Sequence, residues 1–297
     1  MKTSATVHQR GHLLPSLAVA AVGAAWGGYW YPIRQFEMMG VGGAWISFAF
    51  FALTALGPLP WLLRDRAWRP DLPEQMLTGL LLGAAFSLYT VSLVMTDVVH
   101  AILLFYLTPV WSTLGGLLWL RERLTAARAL AMVLGFGGVA CILGLDDGLP
   151  LPRNAGDWMA LLSGLLWAAG TMRSFARPAE GIALPVFAFA AGGVLFSGLF
   201  LLLTMAIGHS LAASGGLAPA LPWLALMAFT VILPSNYLVL WAAQRIDSGR
   251  VGILLMTEVL AGAVTAALFS GEPFGMGELA GTILIICAAL IEISGRR

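Results

Sequence analysis

Charge is what this sequence has least of. Of its 297 residues, 10% are Asp, Glu, Lys or Arg and 59% are hydrophobic, whereas soluble chains carry about 25% charged residues. A water-soluble fold with so few charges could not cover its surface with polar side chains. The net charge is +1, so there is no basic surface to neutralise phosphates, and nucleic acid is excluded as a partner. Cysteine is nearly absent. Cys141 and Cys287 both lie inside apolar runs, where a thiol behaves as a small hydrophobe, so neither a disulfide framework nor a metal site is expected. HExxH, GxSxG, the Walker A loop and the Gly-rich dinucleotide fingerprint are all missing. Hydrolytic, nucleotide-driven and cofactor-dependent chemistries therefore have no signature here, and an enzyme is not expected.

What is present is a series of long apolar runs, at residues 13–33, 44–63, 75–95, 98–119, 127–144, 157–175, 183–207, 221–243, 250–269 and 277–293. A bilayer crossing takes about 20 mostly apolar residues, and β-barrel strands would alternate instead of running apolar throughout. The 35 glycines sit within these runs, as membrane helices tolerate. The first run follows Lys2 and Arg10 and continues past Leu13–Ala25 to Pro32, too long for a signal-peptide core, so it reads as a retained helix. The fold class is all-α polytopic membrane protein with ten transmembrane helices.

Loop charge sets the orientation. With the N-terminus inside, Lys2, Arg10, Arg64, Arg66, Arg69, Arg121, Arg123, Arg128, Arg173, Arg177, Arg245, Arg250, Arg296 and Arg297 fall on the cytoplasmic side, and only Arg34 and Arg153 outside. That places both termini in the cytoplasm.

The two halves also resemble each other. Gly23-Ala-Ala-Trp26-Gly-Gly in run 1 matches Gly164-Leu-Leu-Trp167-Ala-Ala in run 6, and Ala101-Ile-Leu-Leu104 matches Gly252-Ile-Leu-Leu255. Pro109 precedes Glu122, and Val259 precedes Glu272, by the same thirteen positions. The matches keep one order at offsets of 141 to 151, so residues 1–145 and 146–297 read as two five-helix repeats. An odd helix number inverts the second copy, the architecture of secondary transporters with a midplane site between the halves.

These residues resemble the drug/metabolite transporter superfamily, of the ten-helix type with two EamA-like repeats. The most specific parts are Leu107-Thr-Pro109-Val, Leu120-Arg-Glu122-Arg-Leu124, Met256-Thr-Glu258-Val and Ser270-Gly-Glu272-Pro-Phe. The family's second half usually has Glu-Pro where this chain has Glu258-Val259, so proline supplies no kink there. The Trp-rich runs 1 and 6 look similar to YddG-type exporters. That resemblance implies export of Phe, Tyr and Trp across a bacterial inner membrane.

Without an ATP motif, movement has to follow the substrate gradient or a coupled ion. The partners expected are a small-molecule substrate and the bilayer, and a single chain suffices. The polar and aromatic side chains that face inward become the candidates. Glu258 lies eight positions after Arg250, about 12 Å into its helix, where an unpaired carboxylate is costly. It reads as an anchor for an ammonium group, as a proton site, or as a structural hydrogen bond near a helix break.

Trp45, Trp61, Trp68, Trp119, Trp158 and Trp223 fall near run ends and are assigned to the interfacial belts, with Tyr29 and Tyr31. Trp26, Trp111, Trp167 and Trp241 lie within runs. Gly23, Trp26, Gly27 and Trp30 share a helical face, as do Ser163, Trp167, Gly170, Thr171 and Ser174 on run 6. Pro234, Tyr237, Trp241 and Gln244 do so on run 8 with Asn236 beside them, and Phe86, Tyr89, Thr90 and Leu93 on run 3. Large rings beside small residues build either close packing or a cavity wall. The candidate substrate set is therefore Trp26, Tyr89, Tyr106, Trp167, Asn236, Tyr237, Trp241, Gln244 and Glu258. Pro109 and Pro234 lie mid-run as candidate hinges. Asp97 with His100, and Asp146 with Asp147, read as solvated external turns.

Other solute classes stay open, among them cationic drugs, nucleosides and nucleotide sugars, as does a membrane scaffold that moves nothing. Phosphate-bearing solutes need cationic side chains in the cavity, and every Lys and Arg here sits at a run end. The topology is testable with single cysteines and an impermeant thiol reagent on intact cells. Cysteine at Arg153 should be labelled, and cysteine at Arg69 or Arg177 protected. Labelling at both Arg69 and Arg153 would contradict the ten-helix arrangement.

Overall fold

The computed structural model describes residues 3–64, 69–96, 98–119, 124–143, 151–208, 210–269 and 275–294. Asp97, Glu122, Asp146, Asp147 and Glu272 lie outside the described residues. The described chain is helical, with no strand among the described residues. Its α-helices are α1 (Thr3–Gly27), α2 (Trp30–Met38), α3 (Gly43–Leu56), α4 (Leu59–Arg64), α5 (Leu72–Met95), α6 (Val98–Phe105), α7 (Thr108–Trp119) and α8 (Ala126–Leu143). They continue as α9 (Ala155–Ala176), α10 (Ala183–Ala206), α11 (Leu217–Met227), α12 (Leu233–Ala243), α13 (Ser248–Leu255), α14 (Thr257–Phe269) and α15 (Met276–Ser294).

Several of these are pieces of one column. Among the described residues, eight helical segments are long and apolar enough to cross a membrane, His12–Met38 and Ser248–Phe269 among them. The sequence reading expects ten. Outside those eight, α8 has a shorter apolar part at Ala126–Ile142, and α9 runs for 22 residues with Asp157 and Arg173 within it.

The columns pack through small residues, which bring backbones close where lipid offers no hydrophobic drive. On α5, a Cβ at Gly83 would meet the Gly193 nitrogen of α10 at 2.3 Å, and one at Gly192 would meet the Gly79 carbonyl at 2.4 Å. Larger residues at these positions would force the helices apart.

Polar side chains secure both ends of the α5–α9 pair. At one end Glu74 accepts from Arg173 at 2.5 Å and Arg177 at 2.6 Å. At the other, Asn154 caps α9 by accepting from the Asp157 nitrogen at 3.0 Å, and Thr96 donates to buried Asp157 at 2.5 Å. Arg153 and Arg177 thus mark opposite ends of the pair, as their assignment to opposite membrane faces requires.

A buried ionic cluster replaces the solvated loop charges that the sequence suggests for Arg128 and Arg250. Arg128 of α8 lies 2.8 Å from Asp247 and 3.2 Å from Glu292 of α15, and Arg250 of α13 lies 3.2 Å from the same Glu292 oxygen. Asp247 also caps α13 by accepting from the Arg250 nitrogen at 2.9 Å. The two cations and two anions balance, which makes their burial tolerable. Removing one partner of a buried pair costs about 3–5 kcal/mol because a charge is left uncompensated. Glu292→Leu should therefore lower the thermal midpoint of the purified protein by many degrees, while Glu180→Leu at an exposed position leaves it nearly unchanged. Equal midpoints would show that the cluster contributes nothing to stability.

Candidate functional site

Several columns are interrupted part-way along, and two of these breaks meet at one place. The first break separates α6 from α7 at Tyr106 and Leu107. Its cause is local: Pro109 has no N–H to return to the Phe105 carbonyl, and the Thr108 hydroxyl takes that carbonyl instead, at 2.6 Å. The second break separates α13 from α14 at Met256, where there is no proline. Here the Val259 nitrogen donates to the Met256 carbonyl, three residues back, at 3.1 Å, which leaves the Leu255 carbonyl free for another donor.

Each break is backed by a glycine from the other half. A Cβ at Gly164 of α9 would meet the Phe105 carbonyl at 2.7 Å and Thr108 at 3.1 Å, and one at Gly23 of α1 would meet Thr257 and, at 3.2 Å, the Leu255 carbonyl. Gly23 and Gly164 are the residues that the internal sequence match puts in register. The Thr257 hydroxyl sits between the Leu254 carbonyl of its own helix at 2.8 Å and the Ala20 carbonyl of α1 at 2.9 Å.

Tyr106 joins the two breaks. Its hydroxyl lies 2.8 Å from Glu258 Oε2 and 3.3 Å from the Leu255 carbonyl. A phenol has one hydrogen to donate, and the shorter contact, to the carboxylate, takes it. The side chain exposed by the first break is thereby fixed on the acid exposed by the second.

Above these breaks lies a cavity of about 710 Å³, within the size range of small-molecule sites. Along the α1–α2 column it follows Trp26, Trp30, Arg34 and Glu37, one helical face leading from the breaks to the end where α2 finishes. Glu278, in the first turn of α15, lines it as well. Its walls are rings set edge to face. Trp26 and Trp167, equivalent in the two repeats, meet at 6.2 Å, and Trp26 meets Phe86 at 6.3 Å. Phe51 lies 5.5 Å from both Phe86 and Phe189, and Tyr89 tilts onto Phe105 at 4.5 Å.

Of the residues singled out from sequence, Trp26, Tyr89, Tyr106, Trp167, Asn236 and Glu258 line this cavity together. Tyr237, Trp241 and Gln244 are not among its lining residues. On α12 it is Asn236 that faces inward, so Tyr237 is turned about 100° away and Trp241 stands more than a turn further along. Both rings pack against the hydrophobic core, and the Trp241 ring carries the Arg245 guanidinium at 4.6 Å.

On α9 only Trp167 lines the cavity. Gly170 abuts Leu82, while Ser163, Thr171 and Ser174 donate back into their own helix. That face is packing. Tyr29 corrects the belt assignment the other way, since it lines the cavity and packs on Phe50 at 5.7 Å. Trp61, Trp119, Trp158 and Trp223 are each at least 60% exposed, as belt residues would be. Of the two prolines, Pro109 is buried against Gly252 at the first break, and exposed Pro234 follows a π-helical turn over Ala228–Ile232. The sequence reading missed Phe51, Phe105 and Phe189, whose short aromatic side chains carry no signal within apolar runs.

A helical membrane protein with a ring-lined cavity set on two interrupted helices has the makings of a small-molecule carrier. The sequence matches the model of the EamA-like transporter family over residues 13–144 and again over 154–293. The chain belongs to that family, in two repeats, and its relatives there are transporters and not enzymes. A solved crystal structure matches over 94% of this chain and 98% of its own, with a TM-score of 0.72 and 17% identity, a likeness that shows the fold. No curated protein gives a significant sequence match.

Proposed function

We propose that the chain is a secondary transporter that exports small amphipathic solutes, aromatic amino acids foremost, by alternating access through this cavity. The observation that carries the reading is the combination of a ring-lined wall with a single carboxylate at paired helix breaks. Phe, Tyr and Trp present one ring and one charged end, and their site needs rings and polar groups within a few ångströms. Ring contacts supply modest, sequence-tolerant attraction of about 0.5–1.5 kcal/mol each. Glu258 takes the ammonium, and the Asn236 amide is the neutral group nearest in kind to a carboxylate partner. With no ATP-binding motif, transport runs on the substrate gradient or a coupled ion.

The same proposal takes the architecture as ten membrane helices, with α8 and α9 counted, in two inverted repeats at 1–145 and 146–297. The reciprocal seats of Gly23 and Gly164, each against the other half's helix break, support the inversion, because an in-plane two-fold axis produces that contact twice. The protein works as a monomer in a bacterial inner membrane with both termini cytoplasmic, and neither nucleic acid nor a cofactor takes part.

Reconstituted flux tests the reading. Trp26→Ala should lower flux of Phe and Trp by about tenfold, the value of one lost ring contact plus its burial, and lower aliphatic amino acids less. Trp167→Ala should act alike, and Trp158→Ala at the exposed perimeter should leave flux unchanged. Equal losses at Trp26 and Trp158, or equal losses for aliphatic solutes, would make these tryptophans packing residues.

A further inference from the structure

The charges that line the cavity are unequal in number and in place. Among the described lining residues three are acidic, Glu37, Glu258 and Glu278, and one is basic, Arg34. The basic one is not at the helix breaks. Gly27 lies directly against the Glu258 backbone, and Arg34 is seven residues further along the α1–α2 column, about 10 Å away by helical rise. Its guanidinium is also occupied, lying over the Trp30 ring at 5.2 Å from the centroid.

An α-amino acid carries its ammonium and carboxylate on one carbon. A ligand whose ammonium meets Glu258 therefore holds its own carboxylate within a few ångströms of that acid, where the described lining side chains other than Arg34 offer it neutral or acidic groups. Ring faces add to the bias, since they attract cations and not anions. A like charge at short range in a poorly hydrated site discriminates strongly against the wrong partner.

We propose that the cavity selects for net positive charge, so that primary arylalkylamines, which have the ring and ammonium of an aromatic amino acid without its carboxylate, are preferred ligands over the zwitterions. The inference rests on the transport reading of the same cavity and, among the small amphipathic solutes, ranks the amines ahead of the aromatic amino acids named there. Glu258 is the specificity-determining residue, and Glu37 and Glu278 extend the same preference along the cavity wall.

A matched series with one ring and one chain length tests this: phenethylamine as cation, phenylalanine as zwitterion and 3-phenylpropionate as anion. Binding to the full chain in nanodiscs is followed by its tryptophan fluorescence, and flux of the first two by countertransport in proteoliposomes. The expected order of affinity is cation, zwitterion, anion, with phenethylamine about tenfold or more tighter than phenylalanine. Glu258→Gln should shrink that ratio to near unity, and Glu258→Asp should keep most of it. Phenylalanine binding as tightly as phenethylamine, or a ratio that survives Glu258→Gln, would overturn the proposal. If the affinity order holds but neither solute is moved, the transport reading fails while the charge preference of the site stands. Should neither solute bind, both fall together.

Discussion

One hydrogen bond, from Tyr106 to Glu258 at 2.8 Å, connects two places where membrane helices of this protein come apart. Each break exposes backbone polar groups at a depth where lipid cannot satisfy them, so each has to be closed by protein. Thr108 closes the first, and Tyr106 reaches across to the second, its hydroxyl donating to Glu258 at 2.8 Å beside the Leu255 carbonyl. The same contact gives the intramembrane carboxylate its partner. Without Tyr106, Glu258 would lose the hydrogen bond that offsets its burial.

The remaining polar chemistry is arranged around that point. The cavity extends from the breaks along one face of α1–α2, between rings that hold one another edge to face. Where α8, α13 and α15 meet, buried charge is neutralised internally by the cluster of Arg128, Asp247, Arg250 and Glu292. Glu258 sits instead at the cavity, where its hydrogen-bond partner among the described residues is a neutral phenol. On the proposed reading it is the charge that meets the ligand.

Much of this was legible from residues alone, for identifiable reasons. Hydropathy places the columns, because twenty apolar residues have few uses outside a bilayer. Glu258 announces itself by its cost, and Trp26 and Trp167 by their place within apolar runs. Helical direction was harder. Tyr237 and Trp241 share a face with each other, yet that face packs on the core while Asn236 beside them points inward. Which side of an all-apolar helix meets a cavity is decided by its neighbours, and periodicity carries no information about them. The phenylalanines of the wall are silent for the same reason. The second helix break was hidden too. No proline stands there, and the break shows only in the Val259 nitrogen turning back to Met256 and in the approach of Tyr106, 152 residues earlier than Glu258, to the acid beside it. The ionic cluster likewise joins residues from both halves, so the charges read as loop residues until the fold brings them together.

The account depends on Tyr106 and Glu258 acting as one unit, and a double-mutant cycle on transport measures that directly. Flux of an aromatic solute is compared for the parent chain, Tyr106→Phe, Glu258→Gln and the double variant, reconstituted at equal amounts. If the pair is the shared core of the site, the double variant loses no more than the worse single variant, and the two effects are far from additive. Additive losses would mean that the hydroxyl and the carboxylate serve separate ends, and that the two helix breaks are not coupled through them.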